Sequence, residues 1–204
     1  MANVNVAFGL KPINNAGSTP ATGGTNAYLI ASDASAIYQG SAVKAVNGGS
    51  IAIGSASGDT VAFVGVFAGC EYVSSTTGKK VFSNYWPGSG ADTNFDIIGH
   101  VYDNPLQRFV VCTDASFTNQ ATAEAAIFEN SQFNSGAGGS TTTGISNAQL
   151  DVATLDSSNA SLPLKIVGIA TDADNEDYTA AGLPVIVMIN NHALLQADSE
   201  AAIS

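Results

Sequence analysis

The chain has 204 residues and a formal net charge of −11, with 17 acidic residues against six lysines and arginines. Nucleic acids and anionic membranes attract basic surfaces, so this charge argues against direct binding to either. Only two histidines and two cysteines occur, which leaves few titratable groups for polar catalysis.

Residues 1–24 have the composition of an N-terminal arm. A small apolar cluster is followed by the turn-rich run NNAGSTPATGG. A segment with apolar residues but no core of its own often becomes ordered against a partner. The alternative is an edge strand that folds back on its own domain. The candidate partner-binding residues of the arm are Val4, Val6, Phe8, Leu10 and Ile13.

Residues 25–192 contain a succession of short β-branched runs. The runs AVKAV and IAI flank Asn47-Gly48-Gly49, a turn sequence typical of a β-hairpin. The run VAFVGVF is apolar on both faces, as in a strand of a sandwich core. FDIIGHVYD (95–103) and QRFVVCT (107–113) are predicted to form a second hairpin.

The second half of this domain begins with an irregular, loop-rich insertion at residues 114–146. Its run ATAEAAIFENSQF is compatible with one helical turn or with a short strand. Two clear strands follow, LPLKIVGIA and LPVIVMINN, joined by an acidic connector. Residues 193–204 form a C-terminal tail that either frays or makes a last short helix.

About ten short strands with frequent turn signals predict an all-β fold, a jelly roll or a barrel or sandwich. No long amphipathic helix and no alternation of strands and helices is visible, which argues against a nucleotide-binding α/β enzyme. The start of the chain lacks the features of a secretory signal, and no apolar run approaches the roughly 20 residues of a membrane span.

Metal and thiol chemistry find little support in the sequence. His100 and His192 have no Cys or His at ligand spacing. The acidic run 172–177 departs from the calcium-loop pattern at its sixth and twelfth positions, which leaves a solvated hairpin tip as the main interpretation and cation binding as the alternative. Cys70 and Cys112 are expected to be buried free thiols, with a disulfide as the alternative if their strands are neighbours.

Catalytic motifs are equally weak. Gly144-Ile145-Ser146-Asn147-Ala148 faintly resembles a nucleophile elbow, but STTT precedes it where an apolar strand is needed, and the strand-like AQLDVATL follows it where a helix is needed. A glycan hydrolase would need two facing carboxylates, for which the candidates are Asp96, Asp103, Glu71 and Glu129. We therefore expect a protein that is not an enzyme and that needs no cofactor.

Six blocks in order resemble small structural proteins of tailed bacteriophages. They are AFGLKPI, NAYLIASDASAIYQGSAV, GVFAGCEYV, YWPG, LPLKIVGIATDADNE and PVIVMINNH. In that group such chains act as capsid decoration, or cement, proteins. The resemblance spans most of the chain from Val6 to His192, and it is weakest over residues 114–146.

The resemblance implies a β-rich domain on the outer surface of the virion capsid, made in the host cytoplasm. Its partners would be the major capsid protein, whose neighbouring subunits it would clamp, and further copies of itself in a dimer or trimer. No catalytic residue is implied. The alternatives are a tail or fibre component or an adhesin, and, less favoured, a β-sandwich glycan hydrolase.

Overall fold

The computed structural model describes residue 3 and residues 6–17, 24–54, 62–134, 138–170 and 172–195. Within these ranges lie thirteen strands, one short helix, α1 (Gln120–Ala125), and one 3₁₀ turn (Val152–Thr154). The strands are β1 (Lys11–Asn15), β2 (Asn26–Ile30), β3 (Ala42–Val46), β4 (Ser50–Ile53), β5 (Phe63–Val73), β6 (Lys80–Ser83), β7 (Ile97–Tyr102), β8 (Gln107–Cys112), β9 (Asn130–Ser131), β10 (Phe133–Asn134), β11 (Gln149–Leu150), β12 (Leu164–Ile169) and β13 (Pro184–Ile189).

Five of these strands close into a small barrel. The pairing order is β3, β4, β2, β7 and β5, and β5 pairs again with β3 to complete the ring. The β2–β4 pair is parallel and the others are antiparallel. β5 is long enough to continue beyond the ring, where it pairs with β6. Closure satisfies backbone groups that would otherwise lie at sheet edges.

A five-stranded sheet packs beside the barrel, in the order β1-β8-β13-β12-β9 with antiparallel neighbours. β10 and β11 form a separate two-stranded pair. The structure is thus all-β, with a barrel and a packed sheet, and the predicted all-β barrel or sandwich class is confirmed.

Two apolar cores follow from this arrangement. One fills the barrel, and the other lies between the barrel and the five-stranded sheet. β5 contributes to both, with Val64 and Phe67 in the first and Phe63 and Val66 in the second. This explains why its sequence is apolar on both faces. Trp86 is fully buried in the barrel core and donates its indole N–H to the Ala34 carbonyl at 3.1 Å.

Two of the three predicted hairpins have the predicted pairing. β3 and β4 pair antiparallel around Gly48 and Gly49, which both have positive φ, and β12 pairs with β13. The predicted hairpin between residues 95–103 and 107–113 is wrong, because β7 belongs to the barrel and β8 to the five-stranded sheet. A tight turn does connect them, since the Gln107 N–H bonds to the Asn104 carbonyl at 2.9 Å.

The insertion at 114–146 contains α1, β9 and β10, so ATAEAAIFENSQF forms both a helical turn and short strands. Asn119 caps α1, accepting from the Thr122 N–H at 3.0 Å. In the described part of the tail, residues 193–195 lie in a turn, and residues 196–204 are outside the described ranges.

Candidate partner-binding groove

The N-terminal segment crosses from the barrel to the five-stranded sheet. Gly9 adopts a left-handed φ of 68°, and the next residue donates its N–H to the Gly40 carbonyl at 2.9 Å. From Lys11 the chain enters β1 and pairs with β8 at the edge of the sheet. Residues 11–15 therefore form the edge strand that the sequence offered as the alternative to a free arm.

The candidate arm residues differ in exposure. Leu10 is 2% exposed and belongs to the core between barrel and sheet. Phe8 is half-buried, whereas Val6 and Ile13 are 61% and 38% exposed. Val4 lies outside the described residues. The exposed members are thus Val6 and Ile13, and Leu10 anchors the segment.

Val6, Phe8, Leu10 and Ile13 all line one groove of about 760 Å³. We call it the N-terminal groove. Its other apolar walls come from distant parts of the chain, and only four polar side chains lie among them. The further apolar side chains used below are Phe67, Tyr102, Val110, Ile145 and Pro184, and the polar ones are Lys11, Gln39, Asp172 and Asn175.

The acidic connector fixes one end of this groove. Asn3 donates its side-chain N–H to the Asp177 carbonyl at 2.7 Å and accepts from the Asp177 N–H at 3.0 Å. The Asp177 carboxylate accepts from the hydroxyl and the N–H of Thr179, and these two hydrogen bonds lower its pKa. Asp172 likewise accepts from Asp174 N–H and from the Asn175 amide, each at 3.0 Å. These carboxylates stabilise their own turns.

The thiols lie in the interior. Cys70 and Cys112 are both buried and free, as expected from the sequence. Burial raises the pKa of Cys70 to about 12. Burial also raises the pKa of Cys112, against the opposing effect of a hydrogen bond from Gln149. A thiol with a raised pKa is a poor nucleophile at neutral pH.

The four candidate carboxylates come from different elements, and Glu71 lies opposite Ile98, two residues from Asp96. Glu71 pairs with Lys80 at 3.0 Å. Asp96 and Asp103 flank opposite ends of β7, and Glu129 precedes β9 in the other sheet. A strand of this length separates Asp96 from Asp103 by about 20 Å, which is far beyond the spacing of a glycosidase pair.

Asp103 is buried and forms a polar cluster with the half-buried Tyr28 and the exposed Asn26. It accepts from the Tyr28 hydroxyl at 2.5 Å and from the Asn26 amide at 2.8 Å. Burial is the largest cause that raises the pKa of Tyr28 to about 12, followed by the hydrogen bond to Asp103 and the charge of that carboxylate. The cluster is satisfied by its own members, which is the arrangement of a structural network.

The histidines also take structural positions. His100 is half-buried on β7. His192 is buried, and its Nδ1 accepts from the Leu194 N–H at 3.2 Å. Burial lowers the pKa of His192, and the nearby Asp103 charge opposes that shift. Across the described ranges, no three His, Cys, Asp or Glu side chains come together as metal ligands.

The described part of the chain includes no helix with the length and apolar character needed to cross a membrane. Comparison with known protein families, curated sequences and solved structures finds no match for this chain.

The N-terminal groove is mostly apolar. Its walls offer apolar surface, and its polar side chains lie among them without a nucleophile–base pair. The sequence identified one wall, through the apolar residues of the N-terminal segment. It missed Tyr102, Ile145 and Pro184, whose approach depends on the pairing of strands far apart in sequence.

Proposed function

We propose that this chain is a structural virion protein that decorates the outer surface of a tailed-phage capsid and clamps neighbouring major capsid subunits. The observation that carries the proposal is the N-terminal groove, in which four of the five candidate residues meet. Its partly exposed Val6, Ile13 and Ile145 offer apolar surface to a partner. Exposed apolar surface of this kind marks interaction sites in soluble proteins.

The wider surface fits the same role. A standard interface buries about 800 Å² on each partner, so the groove would supply the apolar centre and the surrounding loops the rim. A chain that forms dimers or trimers would engage several capsid subunits at once, and linked contacts of modest strength give high avidity. Binding the expanded shell alone would stabilise that state by mass action.

The net negative charge of the chain is compatible with a protein that is made first and binds the capsid later. A net charge of −11 favours solubility of the protein at high concentration before it meets the capsid. Contact with the capsid would then depend on local complementarity at the groove. No catalytic residue and no cofactor enter the proposal.

Point substitutions test the proposal more sharply than a truncation. Deletion of residues 1–24 would remove the core side chain Leu10 and all of β1 together with the groove. The double variant Val6→Ser and Ile13→Ser changes two exposed groove residues and leaves the core intact. Its matched control is Leu29→Ser and Leu106→Ser, at residues that are 40% and 53% exposed and do not line the groove.

The assay is co-sedimentation with expanded tailed-phage heads assembled without this chain. We expect the natural sequence to sediment with the heads at roughly one copy per capsid subunit. The groove variant should bind at least tenfold more weakly, because two apolar contacts are worth about 1.4 kcal/mol or more together. The control should bind like the natural sequence. Heads that remain bare in the presence of the natural sequence would refute the proposal.

A further inference from the structure

The five-stranded sheet has a second face that points away from the barrel. Paired residues of an antiparallel sheet share a face, and positions two apart on a strand do as well. Lys165, Met188 and Arg108 stand in one row across β12, β13 and β8. Ile186, Val110 and Lys11 stand in the next row, across β13, β8 and β1. We call this surface the outer face.

The N-terminal segment covers one end of the outer face, where the Cys112 thiol reaches the Val6 carbonyl at 3.6 Å and where Lys11 and Val110 also line the N-terminal groove. The core between barrel and sheet takes the alternate residues of the same strands, such as Phe109, Val111 and Val187. Val110, Ile186 and Met188 are half-buried and belong to neither core. Each of these three side chains therefore keeps part of its apolar surface exposed.

The charge on this sheet is opposite to that of the molecule. Its five strands contain Lys11, Arg108 and Lys165 and neither Asp nor Glu. The sheet thus carries +3 in a chain whose total is −11, and it holds half of the six lysines and arginines. All three cations occupy the outer face.

None of these three cations forms an ion pair with a described residue. The ion pair found within the described ranges joins Lys80 and Glu71. The Lys165 ammonium reaches the Phe128 carbonyl at 3.4 Å. The Nε of Arg108 is buried and makes no hydrogen bond to a described residue. Because this Nε is shielded from solvent, a carboxylate bound to Arg108 would pair with the terminal nitrogens of the guanidinium.

An exposed aromatic residue lies at one margin of the outer face. Phe128 bonds through its N–H to the Ile166 carbonyl of β12 at 2.9 Å, and its side chain is 71% exposed. Its φ of 77° is the one left-handed value outside glycine among the described residues. Such backbone strain around an exposed side chain is typical of interaction sites.

We propose that the outer face binds an extended acidic segment of a partner protein in which carboxylates alternate with apolar side chains. The carboxylates pair with Lys11, Arg108 and Lys165, and the apolar residues lie on Val110 and Ile186. The partner's identity as a major capsid subunit rests on the proposed function. The acidic chemistry rests only on the outer face.

A short acidic segment fits better than other anions or a second copy of this face. A long polyanion would meet the acidic remainder of the chain, whereas a short segment at the face is screened from charges more than about 8 Å away at physiological ionic strength. A two-fold pair of outer faces would place like charges opposite one another.

The test uses a short capped peptide in which Asp and Val alternate, and the same peptide with Asn in place of Asp. Titration of the ¹⁵N-labelled chain at low salt follows amide shifts by NMR. We expect the Asp peptide to shift residues of β8, β12 and β13. The Asn peptide should bind at least about fivefold more weakly, because exposed ion pairs contribute modestly but several act together.

Matched variants locate the binding. Lys11→Gln with Lys165→Gln should weaken binding of the Asp peptide about fivefold. The control variant, Lys79→Gln with Lys80→Gln, changes the net charge by the same amount. Lys79 precedes β6 and Lys80 begins it, and both are exposed, so binding of the Asp peptide should not change. Equal effects of the two double variants, equal binding of the two peptides, or self-association through this face that excludes the peptide would each overturn the proposal. The capsid assay is independent, so bare heads with a bound peptide would refute only the proposed function.

Discussion

The close approach of Gly9 to the barrel gives a sharp test of how the N-terminal segment is held. A Cβ at this position would lie 2.7 Å from the Gly40 carbonyl oxygen and 2.9 Å from Ser146 Cβ. The first of these neighbours is backbone, which cannot rotate away. Gly9→Ala is therefore expected to displace the segment from Gly40, in addition to straining a backbone with a φ of 68°.

The magnitude follows from what the segment loses. Left-handed φ at an alanine costs about 1–2 kcal/mol. Displacement also removes the burial of Leu10, worth about 1.5–3 kcal/mol, and its N–H bond to Gly40, worth about 0.5–1.5 kcal/mol. Gly9→Ala should thus lower the free energy of unfolding by about 2–4.5 kcal/mol more than strain alone would.

Gly78→Ala is the matched control. Gly78 has a φ of 65°, and a Cβ there would meet nothing within 4 Å. Urea unfolding gives the free energy of each variant, and amide hydrogen exchange at Leu10 shows whether the segment has detached. If the two variants lose the same stability within about 0.5 kcal/mol, the contact with Gly40 does not hold the segment and the reasoning is wrong.

Two further predictions concern the half-buried Tyr28 and the buried His192. Tyr28→Phe leaves Asp103 with one donor fewer and should cost about 1.5–3 kcal/mol in urea unfolding, whereas Tyr85→Phe, whose hydroxyl bonds to no described residue, should cost less. Equal losses would show that the Tyr28 hydroxyl adds nothing. Because burial lowers the pKa of His192, its contribution to stability is complete above the unfolded value of 6.5 and is lost as the pH falls through the lower folded value. Unfolding measured between neutral and mildly acidic pH should therefore show a steeper loss for His100→Gln, which keeps His192, than for His192→Gln.

Local signals in the sequence predicted those pairings that depend on neighbouring residues. Asn47-Gly48-Gly49 supplies the positive φ values that the β3–β4 turn needs. The unbroken apolar run of β5 indicated correctly that both faces of this strand are buried. In the first case the interactions that determine the turn lie within a few residues of each other. In the second case the burial of the strand can be read from its composition alone.

The wrong hairpin shows where such signals fail. The turn at Asn104 exists, and the Leu106 N–H bonds to its side chain at 2.9 Å. The strands on either side nevertheless diverge, because β7 is held by β2 and β5 while β8 is held by β1 and β13. Those partners are distant in sequence, and no turn motif specifies them.

The same limit applies to the candidate sites. Alternating apolar residues marked the N-terminal segment, but only the fold separates the anchor Leu10 from the exposed Val6. The outer face was invisible to sequence patterns, since Lys11, Arg108 and Lys165 come from three separate strands. Their common face depends on the register of β1, β8, β13 and β12.

The division of strands between barrel and sheet has a consequence for synthesis on the ribosome. Every strand of the barrel ends by Tyr102, so that unit can close while translation continues. β1 is made first, yet its partner β8 follows the barrel, and the neighbour that flanks β8 on its other side is β13, which starts at Pro184. Among the described strands, β1 must therefore remain unpaired until β8 has been made, and the addition of β13 beside β8 is a still later step of folding.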